Sequence, residues 1–163
     1  MVFRQNVLYI YTDGSSLQSP RRGGIGIRFI YIDENGEEQI QDIQSPGYRG
    51  ATNNQMELMA CALALEEACQ LQLHQGRTRI IVRTDSMYIA ENYQKAMFQW
   101  PSSKWLRRSG APVLNADLWK RLTKAMQKVG IRVDYEWVRG HSKDEHNKAV
   151  DRMARKSAKS ATE

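Results

Sequence analysis

The sequence predicts a mixed α/β domain, a five-stranded sheet flanked by helices in the order β-β-β-α-β-α-α-β-α. Two observations carry this reading. Five short segments are rich in β-branched and aromatic residues, and four others have helical character. In the second half of the chain the two kinds interleave, as in sheets covered by helices.

Residues 7–12 form a β-rich run ending at Asp13-Gly14, a turn signal. Residues 23–33 alternate, and Asn35-Gly36 should turn them into an antiparallel return over 38–44. Pro46, Gly47 and Gly50 mark a loop. From Asn53 the pattern becomes helical: Thr52 can cap, and Gln55 completes a capping box. This Met-, Leu- and Ala-rich helix runs through Cys69, with Gly76 ending it. Residues 78–84 make a β-branched strand suited to burial on both faces.

Residues 86–97 read as helix, followed by a loop with Trp100, Pro101, Gly110 and Pro112. Trp119, Leu122, Met126 and Val129 recur at helical spacing, with Asn115 as the expected cap. Ile131, Val133, Tyr135 and Trp137 alternate as a strand; Trp119 and Trp137 are assigned to the core. Val150, Met153 and Ala154 share one face of a short last helix, before a Lys/Ser-rich tail expected to fray. No repeat or linker divides the chain, so residues 1–163 read as one domain with its core over about 7–156.

The 163 residues can bury a core without disulfides or a structural metal. Cys61 and Cys69 fall in one helix about 12 Å apart, too far to bridge, and suit a reducing compartment. No apolar run reaches membrane-spanning length and the first residues lack a signal-peptide pattern, so a cytoplasmic protein is expected. The net charge of +6 favours a polyanionic partner.

Four acids fall at four element ends. Asp13 and Asp85 end the strands over 7–12 and 78–84, where ligands of open α/β sheets gather. Glu57 lies early in the helix after Thr52, and Asp151 lies one helical turn after Asn147. Taken singly, Asp13-Gly14-Ser15 is a common turn, Thr84-Asp85-Ser86 a helix cap, and the other two ordinary helix acids. Brought together, four carboxylates would repel unless a cation sat among them. An all-oxygen set suits two Mg2+ ions, or Mn2+. Such a pair can align an attacking water and a departing 3′-oxygen across a phosphate, leaving a 3′-hydroxyl and a 5′-phosphate.

The segments YTDGS (11–15), TNNQMELMA (52–60), TDSMYI (84–89), NADLW (115–119) and WVRGHS (137–142) together resemble type 1 ribonuclease H, the bacterial ribonuclease HI enzymes in particular. The likeness covers about residues 7–156. It implies a ribonuclease H-like fold and a monomeric endonuclease that cuts the RNA strand of an RNA–DNA hybrid with Mg2+. Asp13, Glu57, Asp85 and Asp151 would be the metal-binding catalytic acids. His141 would shuttle a proton or help release product. Thr52, Asn53, Asn54 and Gln55 would meet the minor groove, 2′-hydroxyls and a DNA-strand phosphate, although Asn53 and Asn54 can instead merely open the helix.

Gly14 and Ser15 would let backbone approach the RNA strand, Ser86 would lie beside Asp85 on the hybrid, and Asn147 would orient groups near the second metal. Between Glu91 and Asp117 there is no acid, while Lys95, Lys104, Arg107 and Arg108 are interleaved with Tyr93, Phe98, Trp100 and Trp105. This resembles the family's basic protrusion, which holds the DNA strand; alternatively Phe98 and one Trp anchor the segment to the core.

Three departures from the family stand out. Residues 17–24 (LQSPRRGG) are more basic than the usual glycine- and proline-rich stretch and offer another phosphate contact. Pro101-Ser102-Ser103 thins the protrusion's charge, and Lys148 replaces a common acid near the metal site. Two other readings compete. A non-catalytic hybrid-binding module would lack a carboxylate, and all four are present. A reverse transcriptase's ribonuclease H domain would share the chemistry, but the start at Met1 and the intact protrusion favour an independent enzyme.

Overall fold

In the computed structural model, which describes residues 2–140 and 143–161, three strands form an antiparallel meander: β1 (Val7–Leu17), β2 (Arg22–Ile32) and β3 (Glu38–Ile43). β4 (Tyr48–Arg49) pairs with the start of β2. β5 (Arg79–Thr84) lies parallel to β1, and β6 (Arg132–Trp137) parallel to β5. The expected five strands follow the path β3-β2-β1-β5-β6, and β4 adds a short sixth where Pro46, Gly47 and Gly50 predict only loop.

The helices are α1 (Asn53–Gln70), α2 (Met87–Phe98), α3 (Ala116–Val129) and α4 (Glu145–Lys159). One sheet face, with Leu8, Ile10, Ile80 and Val82, packs against Leu58 and Leu65 of α1 and Trp119 and Leu122 of α3. The opposite face, with Tyr9, Tyr11 and Ile81, packs against Val150 of α4.

Several boundaries differ from expectation, each for a local reason. Asp13-Gly14 does not turn: β1 continues to Leu17, paired with β2, whereas its parallel ladder with β5 stops at Thr12 opposite Thr84. The hairpin after β2 is built by Asp33, whose Oδ1 accepts the N–H groups of Asn35 and Glu37 at 2.9 Å; of Asn35 and Gly36 only the glycine takes a positive φ. Asn115 does not cap α3 with its side chain. Its backbone is left-handed and its Nδ2 donates to Tyr88 Oη at 3.2 Å, beside Trp119 Nε1 at 2.9 Å.

Trp137 is not core. It stands at the end of an edge strand and is 48% exposed, while Trp119 is fully buried. The Lys/Ser-rich end does not fray over the described residues; α4 runs to Lys159. Ala154, Ser157 and Ala158 are buried, and Ser157 Oγ accepts the Ile25 N–H at 3.2 Å. Ala154 and Ala158 of α4 lie against Gly24 of β2, and Val150 against Gly26, where any Cβ would clash with the helix backbone. No described helix is long and apolar enough to cross a membrane.

Candidate active site

Asp13 is the first residue past the parallel β1–β5 ladder, and Asp85 follows the last residue of β5, so neighbouring strands deliver both carboxylates to one edge. Glu57 reaches them from α1 because Gly14 has no side chain. A Cβ there would sit 2.5 Å from the Glu57 backbone nitrogen. Carboxylate oxygens of Asp13, Glu57 and Asp85 lie within 4.8 Å of one another, with Asp13 and Glu57 buried. Asp151, on α4, lies outside that 4.8 Å group; it is near enough to add to the upward shift of Asp13, and it is ion-paired with Arg155 one turn along.

This proximity leaves the acids strongly perturbed. Burial first, then the charges of Glu57 and Asp85, push Asp13 far above the usual carboxylate range. Burial first, and then the charge of Asp85, raise Glu57, while the neighbouring Asp13, the Gly14 N–H and the Thr84 side chain act to lower it. Glu57 Oε2 is buried with no hydrogen-bond partner. A hard divalent cation relieves both conditions at once: it supplies the missing partner and offsets the repulsion. The oxygen-only donor set fits such an ion.

Around the acids lies support that sequence reasoning missed. Trp137 Nε1 donates to the Asp85 carbonyl at 3.1 Å, so its indole holds the strand end that carries an acid. Arg83 Nη1 donates to Tyr11 Oη at 2.9 Å and Arg83 Nε to Glu136 at 3.0 Å, with the guanidinium over the Tyr9 and Tyr11 rings. An arginine inside an otherwise apolar strand is the signal that could have revealed this group. Gly140 lies beside Asp85, a Cβ there meeting Asp85 Oδ2 at 3.4 Å. His141, the next residue, lies outside the described residues.

The other expected site residues lie on or cap β1, α1, α2 and α4. Thr52 and Gln55 are engaged in their own capping box: Gln55 N–H donates to Thr52 Oγ1 at 3.2 Å and Thr52 N–H to Gln55 Oε1 at 2.9 Å. Asn53 and Asn54 are exposed, and Gly14 and Ser15 are half-buried on β1. Ser86 caps α2, accepting the Ile89 N–H at 3.2 Å. Asn147 is buried, and Lys148 is exposed beside it.

Trp100 and Trp105 pack on the core, Trp100 against Trp119 at 5.6 Å between ring centroids. Phe98, by contrast, is 72% exposed and is not part of the core. Lys104, Arg107 and Arg108 are exposed, the two arginines in a small loop closed by a hydrogen bond from Arg107 N–H to the Ala111 carbonyl at 2.7 Å. A cavity of about 570 Å³ between α2, α3 and β6 contains none of the four acids.

Comparison with known proteins settles the family, since a profile for RNase H matches residues 5–159. This chain belongs to the RNase H family. A ribonuclease H of Photorhabdus laumondii is 35% identical over 154 residues, covering 94% of this chain and 90% of that protein. A ribonuclease HI of Pasteurella multocida is 37% identical over 161 residues, covering 97% and 94%. Among solved structures, LC9-RNase H1, described as a type 1 RNase H with the type 2 active-site motif, superposes with a TM-score of 0.79 at 27% identity. That match covers 99% of this chain and 76% of that one. A foamy viral protease-reverse transcriptase shares the fold, with a TM-score of 0.75 at 20% identity over 94% of this chain and 20% of that one. The protein is thus a ribonuclease H, a hydrolase of the class that cleaves the RNA strand of RNA–DNA hybrids.

Proposed function

We propose that this ribonuclease H is an endonuclease using two divalent ions, Mg2+ in the first place, held by Asp13, Glu57, Asp85 and Asp151. The observation that carries the reading is the meeting of three carboxylates within 4.8 Å, one with a buried, unpartnered oxygen. Bound divalent ions supply an activated water and charge stabilisation for the departing 3′-oxygen, giving 3′-hydroxyl and 5′-phosphate ends.

The chain's own groups fix the geometry. The Gly14 N–H and Thr84 side chain aim Glu57, Trp137 holds the Asp85 backbone, and Arg155 offsets the charge of Asp151. Asn147 orients groups beside Asp151. Proton transfer and product release are assigned to His141, whose imidazole ordinarily titrates near neutrality.

Gly14 and Ser15 admit the RNA backbone, and Asn53 and Asn54 reach its 2′-hydroxyls, which distinguish RNA from DNA. Thr52, Gln55 and Ser86 shape the adjoining surface through their caps. Lys104, Arg107 and Arg108 hold the DNA strand through its phosphates, with Trp100 and Trp105 beneath them. The chain acts as one domain, as a monomer in the cytoplasm.

The test is incubation with a labelled RNA–DNA hybrid, double-stranded RNA and single-stranded RNA, with Mg2+ and then with chelator. Cutting of the hybrid alone, only with metal, and with products that carry a 5′-phosphate, is the expected outcome. Equal cutting of single-stranded RNA, or cutting in chelator, contradicts it.

A further inference from the structure

Arg21, Arg22 and Arg49 form a cationic group for which the described residues provide no acid partner. In the two-residue ladder of β4, Arg22 stands directly opposite Arg49, and like charges so placed destabilise a sheet. Arg21 adjoins them, its carbonyl accepting the Gly50 N–H at 2.9 Å. Among the described residues none of the three makes an ion pair, whereas Arg28, Arg79, Arg83 and Arg121 each face a carboxylate. Arg22 Nε is buried without a hydrogen-bond partner, a state that leaves its desolvation uncompensated.

Position says what the group is for. Arg22 pairs with Leu17, four residues beyond Asp13 on the same strand, so it lies roughly 13 Å along β1 from the acids. Between them lie Gly14 and Ser15, and the exposed Asn53 and Asn54 begin just after Arg49 in the chain. At the start of α1, Thr52 and Gln55 spend their polar groups on each other, which leaves the arginines as the charged donors at this edge. Guanidinium forks match phosphate oxygens in pairs.

We propose that Arg21, Arg22 and Arg49 bind backbone phosphates of the hybrid beyond the segment lying over the acids, extending the substrate footprint at the Leu17 end of β1. This rests on the hybrid-cleaving function proposed above. The phosphate dianions of free nucleotides share this chemistry, but only a continuous strand connects the subsite to the catalytic edge.

The experiment compares the natural chain with Arg21→Ala/Arg22→Ala/Arg49→Ala and with the milder Arg22→Gln/Arg49→Gln. Fluorescence anisotropy in chelator reads hybrid binding without cleavage, and steady-state cleavage with Mg2+ reads KM. The hybrids carry one preferred cleavage site, with long flanks or with either flank trimmed to two base pairs. The triple variant should bind the long hybrid about 10- to 30-fold more weakly, the loss appearing in KM. Its salt slope should flatten by up to about 2.7, from 0.9 per lost contact.

Trimming one particular flank should weaken the natural chain by a similar factor and leave the triple variant unaffected. Its melting temperature should not fall, because removing the opposed charges relieves repulsion. Unchanged affinity and salt slope, or natural-chain binding indifferent to trimming of either flank, would overturn the subsite. A chain that bound hybrid but cut nothing would instead remove the nuclease reading and leave the binding result intact.

Discussion

The Tyr11 hydroxyl lies 3.4 Å from Asp144 Oδ2, so the strand that carries Asp13 is tied to the N-cap of the helix that carries Asp151. The same hydroxyl accepts from Arg83, and the Asp144 side chain accepts the His146 N–H at 2.8 Å. Through this tie β1, β5 and α4 share one support beneath the acids. Tyr11→Phe removes the hydroxyl and keeps the ring. It should cost about 1 kcal/mol of stability and raise the Mg2+ concentration for half-maximal cleavage severalfold. Identical magnesium dependence in the two proteins would mean that the tie does not position the fourth acid.

Gly14 sits where β1 and α1 cross, and the alanine Cβ would fall 2.5 Å from the Glu57 nitrogen and 2.6 Å from the Met56 carbonyl carbon. Since backbone must move to admit it, Gly14→Ala should destabilise by about 1–3 kcal/mol and reduce kcat by displacing Glu57. Chemical denaturation and single-turnover cleavage together check this. A variant as active and as stable as the natural chain would show that the crossing has slack.

Burial and mutual charge raise the pKa of both Asp13 and Glu57. A carboxyl raised in the folded state contributes stability that is fully present below its unfolded value near 4 and is lost as pH rises through the folded value. Metal-free protein should therefore weaken from about pH 4 upward through neutrality. Divalent ions favour the charged carboxylates, so the gain in melting temperature on adding Mg2+ should be larger at pH 8 than at pH 5. At a hundredfold excess over Kd the gain corresponds to about 2.7 kcal/mol. Melting curves with Mg2+ and with chelator across this range measure it, and a pH-independent gain would contradict the repulsion argument.

Lys104, Arg107 and Arg108 are exposed on the segment between α2 and α3, and no acid occurs between Glu91 and Asp117. Replacing all three by Ala should raise KM for the hybrid and flatten its salt dependence by up to about 2.7. A salt slope equal to that of the natural chain would remove this segment from the binding surface.

Element order and type were legible because periodicity and capping residues are local signals: the Thr52/Gln55 box and the buried Ile80-Ile81-Val82 strand are as the residues imply. What local signals mislead about is set by neighbours. Asp13-Gly14 reads as a turn, yet pairing with Gly26 and Ile25 keeps it extended. Trp137 reads as core, yet it lies at the end of an edge strand and holds Asp85 instead. The Lys/Ser-rich end reads as a loose tail, yet its Ala158 packs against Gly24 of β2, and Ser157 and Ala161 lie against Gly47. Of the candidate site, the expected gathering of acids is seen for Asp13, Glu57 and Asp85, whose carboxylate oxygens lie within 4.8 Å of one another. Arg83, Tyr11 and Asp144 were not legible, because their contacts join residues 72 and 133 positions apart.

The most direct measurement is cleavage of a labelled RNA–DNA hybrid by Asp13→Asn at saturating Mg2+, with hybrid affinity determined on the same preparation. If the acids act as one metal centre, turnover should fall by about a hundredfold or more while affinity stays within about threefold, since the binding surface keeps its charges. Turnover within a few-fold of the natural enzyme would show that catalysis does not pass through these carboxylates.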